Sequence, residues 1–446
     1  MVYCCSMKMK FCKEAKKALK LINETDEHLY ITGKAGTGKS TLLAHIRLQA
    51  KKRTVVLAPT GIAAIHVNGE TIHSFFGLKP GFEKDEAAKK RIDEKRAKKY
   101  RHLKTIMIDE ISMVRADLLD AIDIFLRKAR QDKRPFGGVQ MVFFGDLYQL
   151  PPVVTSADKD KFYSEYEAPY FFHAEVFKGQ SDLFSGGFNV QKIELNKIYR
   201  QTDREFIDVL NAVREGIAGP NEFNLLNQRC DYQFEPPKNG RYIYLMTTNA
   251  DANRINMKRL AELPGDERSY TATQKGSIAR NLYPNDEVVT LKEGAQIMFV
   301  CNDGERRWVN GTIGTILEIK ETYSEERKAF EPLVKIKKDD GLVVDVGLHL
   351  WEISKYVFQK GQFEREMIGS FRQIPFKLAW AITIHKSQGK TFDNVIIDMG
   401  RGSFAHGQTY VALSRCTSLE GIVLKKPIGP RSIIMDQRVK AFAGEK

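Results

Sequence analysis

Gly33-Lys34-Ala35-Gly36-Thr37-Gly38-Lys39-Ser40 stands between a short apolar run, Leu29–Thr32, and a helix-like stretch that begins at Thr41. This is the pattern of a phosphate-binding loop in the setting it needs, after a strand and before a helix. Gly33, Gly36, Thr37, Gly38 and Thr41 belong to a cradle of inward-turned backbone N–H groups, and the helix N-terminus adds partial positive charge. Lys39 would reach the terminal phosphates of a nucleoside triphosphate, and Ser40 would offer its hydroxyl to Mg²⁺. A second cluster is Ile106-Met107-Ile108-Asp109-Glu110, an apolar strand ending in two carboxylates. There Asp109 would hold Mg²⁺ through its hydration shell and Glu110 would polarise the attacking water. The third is Gly145-Asp146-Leu147-Tyr148-Gln149-Leu150-Pro151-Pro152-Val153. Gln149 at such a strand end can contact the γ-phosphate and report its loss; the plain alternative is a Gly-Asp turn closed by two prolines. Together these residues predict Mg²⁺-dependent hydrolysis of a nucleoside triphosphate.

Parallel strands separated by helices are what bring such residues to one sheet edge. Leu29–Thr32, Thr54–Ala58, Thr105–Ile108 and Gln140–Phe144 are short apolar runs with helical stretches between them, which predicts an α/β fold with a parallel sheet. Asp117–Arg130 carries Leu118, Leu119, Ile122, Phe125, Leu126 and Ala129 at helical spacing. Arg127, Lys128 and Arg130 close it, where cations suit the helix dipole. Lys84–Lys104 holds ten Lys/Arg against four acids and is expected to be one exposed helix, either a solvated face or a surface for nucleic acid. A second α/β pattern begins near Gln191, with strands at Ile243–Met246, Leu378–Ala381, Val395–Asp398 and Ile422–Leu424. Between them, residues 285–374 turn β-rich at Gln296–Val300, Thr312–Ile319, Leu333–Ile336 and Leu342–Val346, with an Asn310-Gly311 turn signal. This stretch is expected to be a small inserted barrel.

The chain has 446 residues, 42% of them hydrophobic and 28% charged, which excludes a disordered or collagen-like chain and a small disulfide scaffold. Apolar runs such as Val55–Ala58 and Met141–Phe144 fall far short of the ~18 residues a spanning helix needs, so no membrane association is expected. Seventy Lys+Arg against 56 Asp+Glu leave a net charge of +14, which favours an anionic partner, nucleic acid first. Cys4, Cys5, Cys12, Cys230, Cys301 and Cys416 lack zinc-ligand spacing and are expected to be reduced thiols. The segment Met1–Ser6 has no secretory pattern, and a cytoplasmic protein of bacterial or phage-like type is expected.

The motif set resembles the superfamily 1B DNA helicases, most closely the PIF (petite integration frequency) family, relatives of the RecD type. The resemblance is carried by Ala58-Pro59-Thr60-Gly61-Ile62-Ala63-Ala64, Thr71-Ile72-His73-Ser74-Phe75 and the segment Asp117–Gly138 ending Arg134-Pro135-Phe136-Gly137-Gly138. Further along come Tyr199-Arg200-Gln201, Thr247-Thr248-Asn249, Thr383-Ile384-His385-Lys386-Ser387-Gln388-Gly389 and Tyr410-Val411-Ala412-Leu413-Ser414-Arg415, in the family's order. It implies two RecA-like domains, residues 1–190 and residues 191–284 with 375–446, sharing an ATP site. Arg200 and Arg415 would be arginine fingers, and Gln388 and Gly389 would line the site. It further implies a wedge at about 70–104, an SH3-like barrel at 285–374, and 5′→3′ translocation by a monomer on single-stranded DNA, with forks or structured DNA such as G-quadruplexes as substrates. One departure is the stretch Phe11–Lys16, which lacks the Gln that reads adenine in the family, so other NTPs are expected to serve.

Single strands are held by phosphate contacts and by stacking on flat side chains. Pro59, Thr60, His73 and Phe75 follow the second strand, on the edge that carries the ATP loops. Thr383, His385 and Ser387 take a comparable place in the second half. Tyr170-Phe171-Phe172-His173 is expected to be core. The alternatives are an ATP-driven clamp on nucleic acid and an RNA-directed motor.

Overall fold

The computed structural model describes residues 12–444 except 80, 82, 179–187, 202, 238–240, 277, 326–327 and 401. Cys4, Cys5, Phe11 and the segment Met1–Ser6 lie outside the described residues. The chain divides into two units, residues 1–146, 152–199 and 356–365, and residues 147–151, 200–355 and 366–446. The break falls at Tyr199/Arg200 rather than at 190, and two short segments cross over.

The first unit is built on a six-stranded sheet of β1 (His28–Gly33), β2 (Thr54–Ala58), β3 (Glu70–Thr71), β4 (Thr105–Ile108), β5 (Gln140–Phe144) and β6 (Val190–Leu195). Its order is β3-β2-β4-β5-β1-β6, and every pairing is parallel. β4 and β5 are buried along their whole length, which is why their sequences run apolar without alternation. Helix α1 (Lys13–Glu24) puts Ala15, Ala18 and Ile22 into the core beside β1, and α2 (Lys39–Gln49) adds Leu42, Leu43 and Ile46. α3 (Gly61–His66) and α4 (Ile72–Phe76) flank β3.

The charged stretch is two helices, not one. α5 (Glu83–Lys89) and α6 (Glu94–Arg101) are separated by residues 90–93, with Asp93 capping α6 through the Arg96 N–H at 2.7 Å. Nor are they a free surface, since Ala87, Ala97, Tyr100 and Leu103 are buried. The Tyr100 hydroxyl donates to the Phe75 carbonyl at 2.7 Å, and its ring meets Phe125 of α7 (Ala116–Arg130) at 4.8 Å. α7 buries acids as well as its apolar stripe. Arg115 pairs with Asp117 at 2.6 Å, Tyr166 donates to Asp120 at 2.7 Å, and Asp123 accepts the Phe136 N–H at 2.5 Å. That last bond holds the Pro135–Gly138 turn, in which Phe136, Gly137 and Gly138 all take positive φ (52°, 60° and 72°).

The second unit has a parallel sheet ordered Ala381–Thr383, Ile243–Met246, Val395–Asp398, Ile422–Leu424. The expected strand Leu378–Ala381 is really the ends of two. Phe376–Leu378 pairs antiparallel with Gln296–Phe299, and Ala381–Thr383 pairs parallel with Ile243–Met246, so the chain changes sheets at Ala379-Trp380. The antiparallel sheet continues through Ile313–Ser324, Ala329–Lys338 and Val343–Val346 around Phe299, Trp308, Ile316, Val334, Ile336 and Phe376. Asn310-Gly311 does turn, with Gly311 at φ +97°.

A long hairpin, His349–Gln359 with Gln362–Gln373, was not anticipated. Its tip packs in the first unit. The Tyr356 N–H donates to Glu70 at 2.6 Å, the Tyr356 hydroxyl accepts the Val56 N–H at 3.3 Å, and Phe358 stacks on His102 at 4.3 Å.

Candidate nucleotide and nucleic-acid sites

β1, β5 and β4 are neighbours, so their C-terminal ends bring the loop after Thr32, Gly145-Asp146 and Asp109-Glu110 to one edge. Ligands of open α/β sheets bind at such an edge. Gly36 and Gly38 take φ of +80°, a conformation that other residues adopt only at a cost. A Cβ on Gly38 would meet nothing within 4 Å, so the loop encloses open space there. Gly33 is needed for the opposite reason, because a Cβ would lie 2.7 Å from the Leu195 carbonyl and the Thr37 hydroxyl. The Lys39 ammonium donates to the Gly33 carbonyl at 2.7 Å and to Lys34 at 3.2 Å. Thr37, also buried, donates to Lys34 at 2.9 Å. Ser40 and Thr41 open α2.

Asp109 is buried, and burial together with the Glu110 charge pushes its carboxyl up to about 7, against the opposing pull of Lys39. Two adjacent carboxylates so placed favour a divalent cation. Glu110 sits at φ +49°, ψ +46°, a left-handed conformation that costs a non-glycine residue about 1–2 kcal/mol. Strain of this kind gathers at functional sites. The residues thus fit a nucleotide triphosphate with Mg²⁺.

Tyr199, whose type suggested no nucleotide role, donates its N–H to the Gly36 carbonyl at 2.9 Å and so braces the loop. Gln149 is buried and belongs to the second unit. Its segment is fixed by His406, whose Nε2 bonds the Leu147 carbonyl at 2.8 Å while its Nδ1 accepts the Asp436 N–H. Arg214 lies 3.8 Å over the Tyr148 ring, and a Cβ on Gly407 would come within 2.7 Å of the Gln149 carbonyl. Arg200 donates to the Ser414 carbonyl at 3.0 Å, and burial lowers its pKa. Arg415 is only 1% exposed. It donates to the Val411 carbonyl at 2.8 Å, the Ser387 carbonyl at 3.2 Å and the Ser414 hydroxyl at 2.7 Å. Gln388 keeps a buried amide nitrogen with no hydrogen-bond partner, beside Gly389 at φ +75°. Near α1, residues 12–16 carry no side-chain amide to read a base.

The residues expected to touch DNA fall into two kinds. Thr60 is exposed and caps α3 through the Ala63 N–H at 3.2 Å, Pro59 beside it is half-buried, and His73 is half-buried in α4. His385 is half-buried, with burial lowering its pKa, and Thr383 accepts the Lys386 N–H at 3.3 Å. Phe75 must be corrected. It is 2% exposed, lies edge-on to Phe76, Tyr100 and Tyr356, and carries the Lys99 ammonium 3.9 Å over its ring, so no face is open to a base. Ser387 is likewise fully buried, its hydroxyl closing a turn on the Ile384 carbonyl at 2.7 Å. Lys377 and Lys386 line a cavity beside Thr383 and were missed. For Lys377 the available signal was a lone cation inside an apolar strand.

Sheet, loop and carboxylates define a P-loop nucleotide hydrolase with a RecA-like core. The model of PIF1-like helicases matches residues 10–222. The ATP-dependent DNA helicase Pif1 of Bdellovibrio bacteriovorus is 33% identical over 96% of this chain and 90% of its own. Pif1 from Bacteroides sp in complex with ADP-AlF4 matches at a TM-score of 0.86 and 35% identity, over 97% of this chain and 96% of its own. Bacteroides Pif1 bound to ssDNA matches at 0.68 and 36% identity, covering 98% of this chain and 97% of its own. The rat helicase PIF1 is longer, and the chain spans 64% of it at 34% identity. The chain belongs to the PIF1-like helicase family. No helix among the described residues is long and apolar enough to cross a membrane.

Proposed function

We propose that this chain is an ATP-dependent DNA helicase that moves 5′→3′ on single-stranded DNA and parts forked duplexes, acting as a monomer when free. The observation that carries the reading is the gathering of Lys39, Asp109 and Glu110 at the ends of neighbouring strands in a PIF1-like chain. Lys39 and the loop N–H groups bind the phosphates, Ser40 and Asp109 hold Mg²⁺, and Glu110 orients the water. Mg²⁺ supplies charge neutralisation on the transferred phosphoryl group. Gln149 is the γ-phosphate contact in this reading, and Arg200 stabilises the developing charge. Pro59, Thr60, His73, Thr383 and His385 hold the strand. The α5–α6 segment is the wedge, and the antiparallel sheet of residues 285–374 is the SH3-like insert. G-quadruplexes are further candidate substrates.

The test is ATP hydrolysis with and without single-stranded DNA or RNA, followed by unwinding of duplexes with only a 5′ or only a 3′ tail. DNA-stimulated hydrolysis with unwinding from the 5′ tail is expected. Preference for a 3′ tail would overturn the polarity. Stimulation by RNA alone, or hydrolysis with no unwinding, would favour the RNA-motor and clamp readings.

A further inference from the structure

Gln149 follows β5 of the first unit in sequence, yet residues 147–151 pack with the second unit. They meet there a turn at residues 404–407 and the buried helix Gln408–Leu413 that continues it. His406 is buried in this turn with both ring nitrogens engaged. Nδ1 accepts the Asp436 N–H at 3.0 Å, so the proton of the neutral ring stands on Nε2. Nε2 therefore donates to the Leu147 carbonyl at 2.8 Å. Gly407, at φ +69°, is where the two backbones come closest. A Cβ on it would lie 2.3 Å from the Tyr148 carbonyl and 2.7 Å from that of Gln149.

Residues 432–436 brace the turn from its other side. The Gly407 N–H donates to the Ile434 carbonyl at 3.2 Å, and the Thr409 hydroxyl donates to the Ser432 carbonyl. The imidazole thus takes its orientation from Asp436 and passes it to Leu147. The far end of the same helix carries the two arginines. Arg415 donates to the Val411 carbonyl inside it, and Arg200 donates to the Ser414 carbonyl at its end. All six residues of Gln408–Leu413 are buried. At 1.5 Å per residue, Gly407 and Ser414 stand about 10 Å apart. Gln149 and both arginine finger candidates are thereby tied to the two ends of one short buried rod.

We propose that His406 is a positioning residue for ATP hydrolysis, whose Nε2–H bond to the Leu147 carbonyl sets where Gln149 presents its amide relative to Arg200 and Arg415. The proposal rests on the reading of Gln149 as the γ-phosphate contact and adds the group that aims it. His406 itself touches no nucleotide. Aim matters here because misplacing a group by about 1 Å can cost about 10²-fold in rate.

The two hydrogen bonds of the ring can be removed one at a time. His406→Asn keeps an acceptor at the place of Nδ1 and has nothing at the place of Nε2. His406→Gln reaches the place of Nε2 with an amide N–H and gives up the acceptor for Asp436. The experiment measures ATP hydrolysis by the full chain with oligothymidylate present, together with thermal melts. It compares wild type, both variants, Gln149→Ala and the double variant of His406→Asn with Gln149→Ala. His406→Asn should lower kcat by about tenfold to a hundredfold, with little change in KM for ATP. His406→Gln should recover most of that loss, even where it melts lower. In the Gln149→Ala background, His406→Asn should lower kcat no further, because the group it aims is gone.

Wild-type kcat in a folded His406→Asn would overturn the proposal and leave the role of Gln149 intact. So would equal losses in His406→Asn and His406→Gln that follow their melting temperatures, or losses that multiply in the double variant. Should His406→Asn not fold, His406→Gln carries the test, and a fall in its kcat of about tenfold at an unchanged melting temperature overturns the proposal. Wild-type turnover in Gln149→Ala would overturn the γ-phosphate reading of that residue and the proposal with it.

Discussion

Arg415→Ala should unfold the second unit more readily as well as slow ATP turnover, and the first effect can be sized from the contacts. The three shortest bonds of the guanidinium go to the Val411 carbonyl, the Ser387 carbonyl and the Ser414 hydroxyl at 2.8, 3.2 and 2.7 Å. The two carbonyls keep second donors, the Ser414 hydroxyl at 3.1 Å and the Lys390 N–H at 3.0 Å, so neither is orphaned. The loss is then about 1 kcal/mol for each of the bonds, roughly 3 in all. Emptying the volume of a side chain that is 1% exposed adds about 2 kcal/mol or more. The sum, about 5 kcal/mol, is comparable with the whole stability of many domains and corresponds to a fall in Tm of roughly 10–20 °C. Arg200→Ala removes one bond, to the Ser414 carbonyl, and should cost about 1 kcal/mol. Urea and thermal melts of both variants, followed by circular dichroism and set beside ATP hydrolysis, separate the two effects. If Arg415→Ala melted within about 1 kcal/mol of wild type while hydrolysis collapsed, these internal bonds would carry little weight. The arginine would then act on the nucleotide alone.

Lys39→Ala should lower ATP turnover by about 10²–10³ while single-strand binding survives, since it removes one preorganised donor to phosphate; hydrolysis near the wild-type rate would remove Lys39 from the site. Asp109, raised to about 7, holds a proton in the folded protein that the unfolded chain gives up above about pH 4. Stability without Mg²⁺ should therefore fall as pH rises from about 4 to 7, and Asp109→Asn should flatten that slope in urea melts at several pH values. An equal slope in the variant would assign the pH dependence to other groups. Phe75→Ala should cost about 3–5 kcal/mol, as for a buried ring elsewhere; a variant of wild-type stability that bound DNA weakly would restore the stacking role.

The parallel strands were legible because a strand covered on both faces is written as a continuous apolar run, as in Thr54–Ala58 and Gln140–Phe144. The phosphate loop was legible because its chemistry is local, with glycine, lysine and serine at fixed spacing on one turn. What stayed hidden was set by distant partners. Phe75 looks like a stacking residue until Tyr100 and Tyr356 are seen against its edges. The charged stretch looked like one exposed helix because its few apolar residues, Ala87, Ala97, Tyr100 and Leu103, show their purpose only against α7. Along the hairpin strand His349–Gln359 burial alternates at Leu350-Trp351-Glu352-Ile353, but Leu350 and Trp351 are both apolar, so the sequence shows neither that alternation nor where the tip will dock. Lys377 was missed because the expected strand began at Leu378, whereas the observed one is Phe376–Leu378 and the parallel strand starts only at Ala381.

The tip of that hairpin also dictates an order of events during synthesis. Residues up to Tyr199 leave the ribosome with nearly every strand of the first unit, but Glu70 must wait for the Tyr356 N–H and Val56 for the Tyr356 hydroxyl. Until then a carboxylate that burial disfavours has lost one of its donors and keeps Ser74, at 2.6 Å. At about 5–20 residues per second, the intervening stretch takes roughly 10–30 s to emerge. Through that interval the nascent first unit is a partly closed body, with His102 lacking the Phe358 ring that stacks on it at 4.3 Å. A fragment ending at Tyr199 would remain in that condition permanently, prone to aggregate, and would be a poor stand-in for the ATP-binding half of the enzyme.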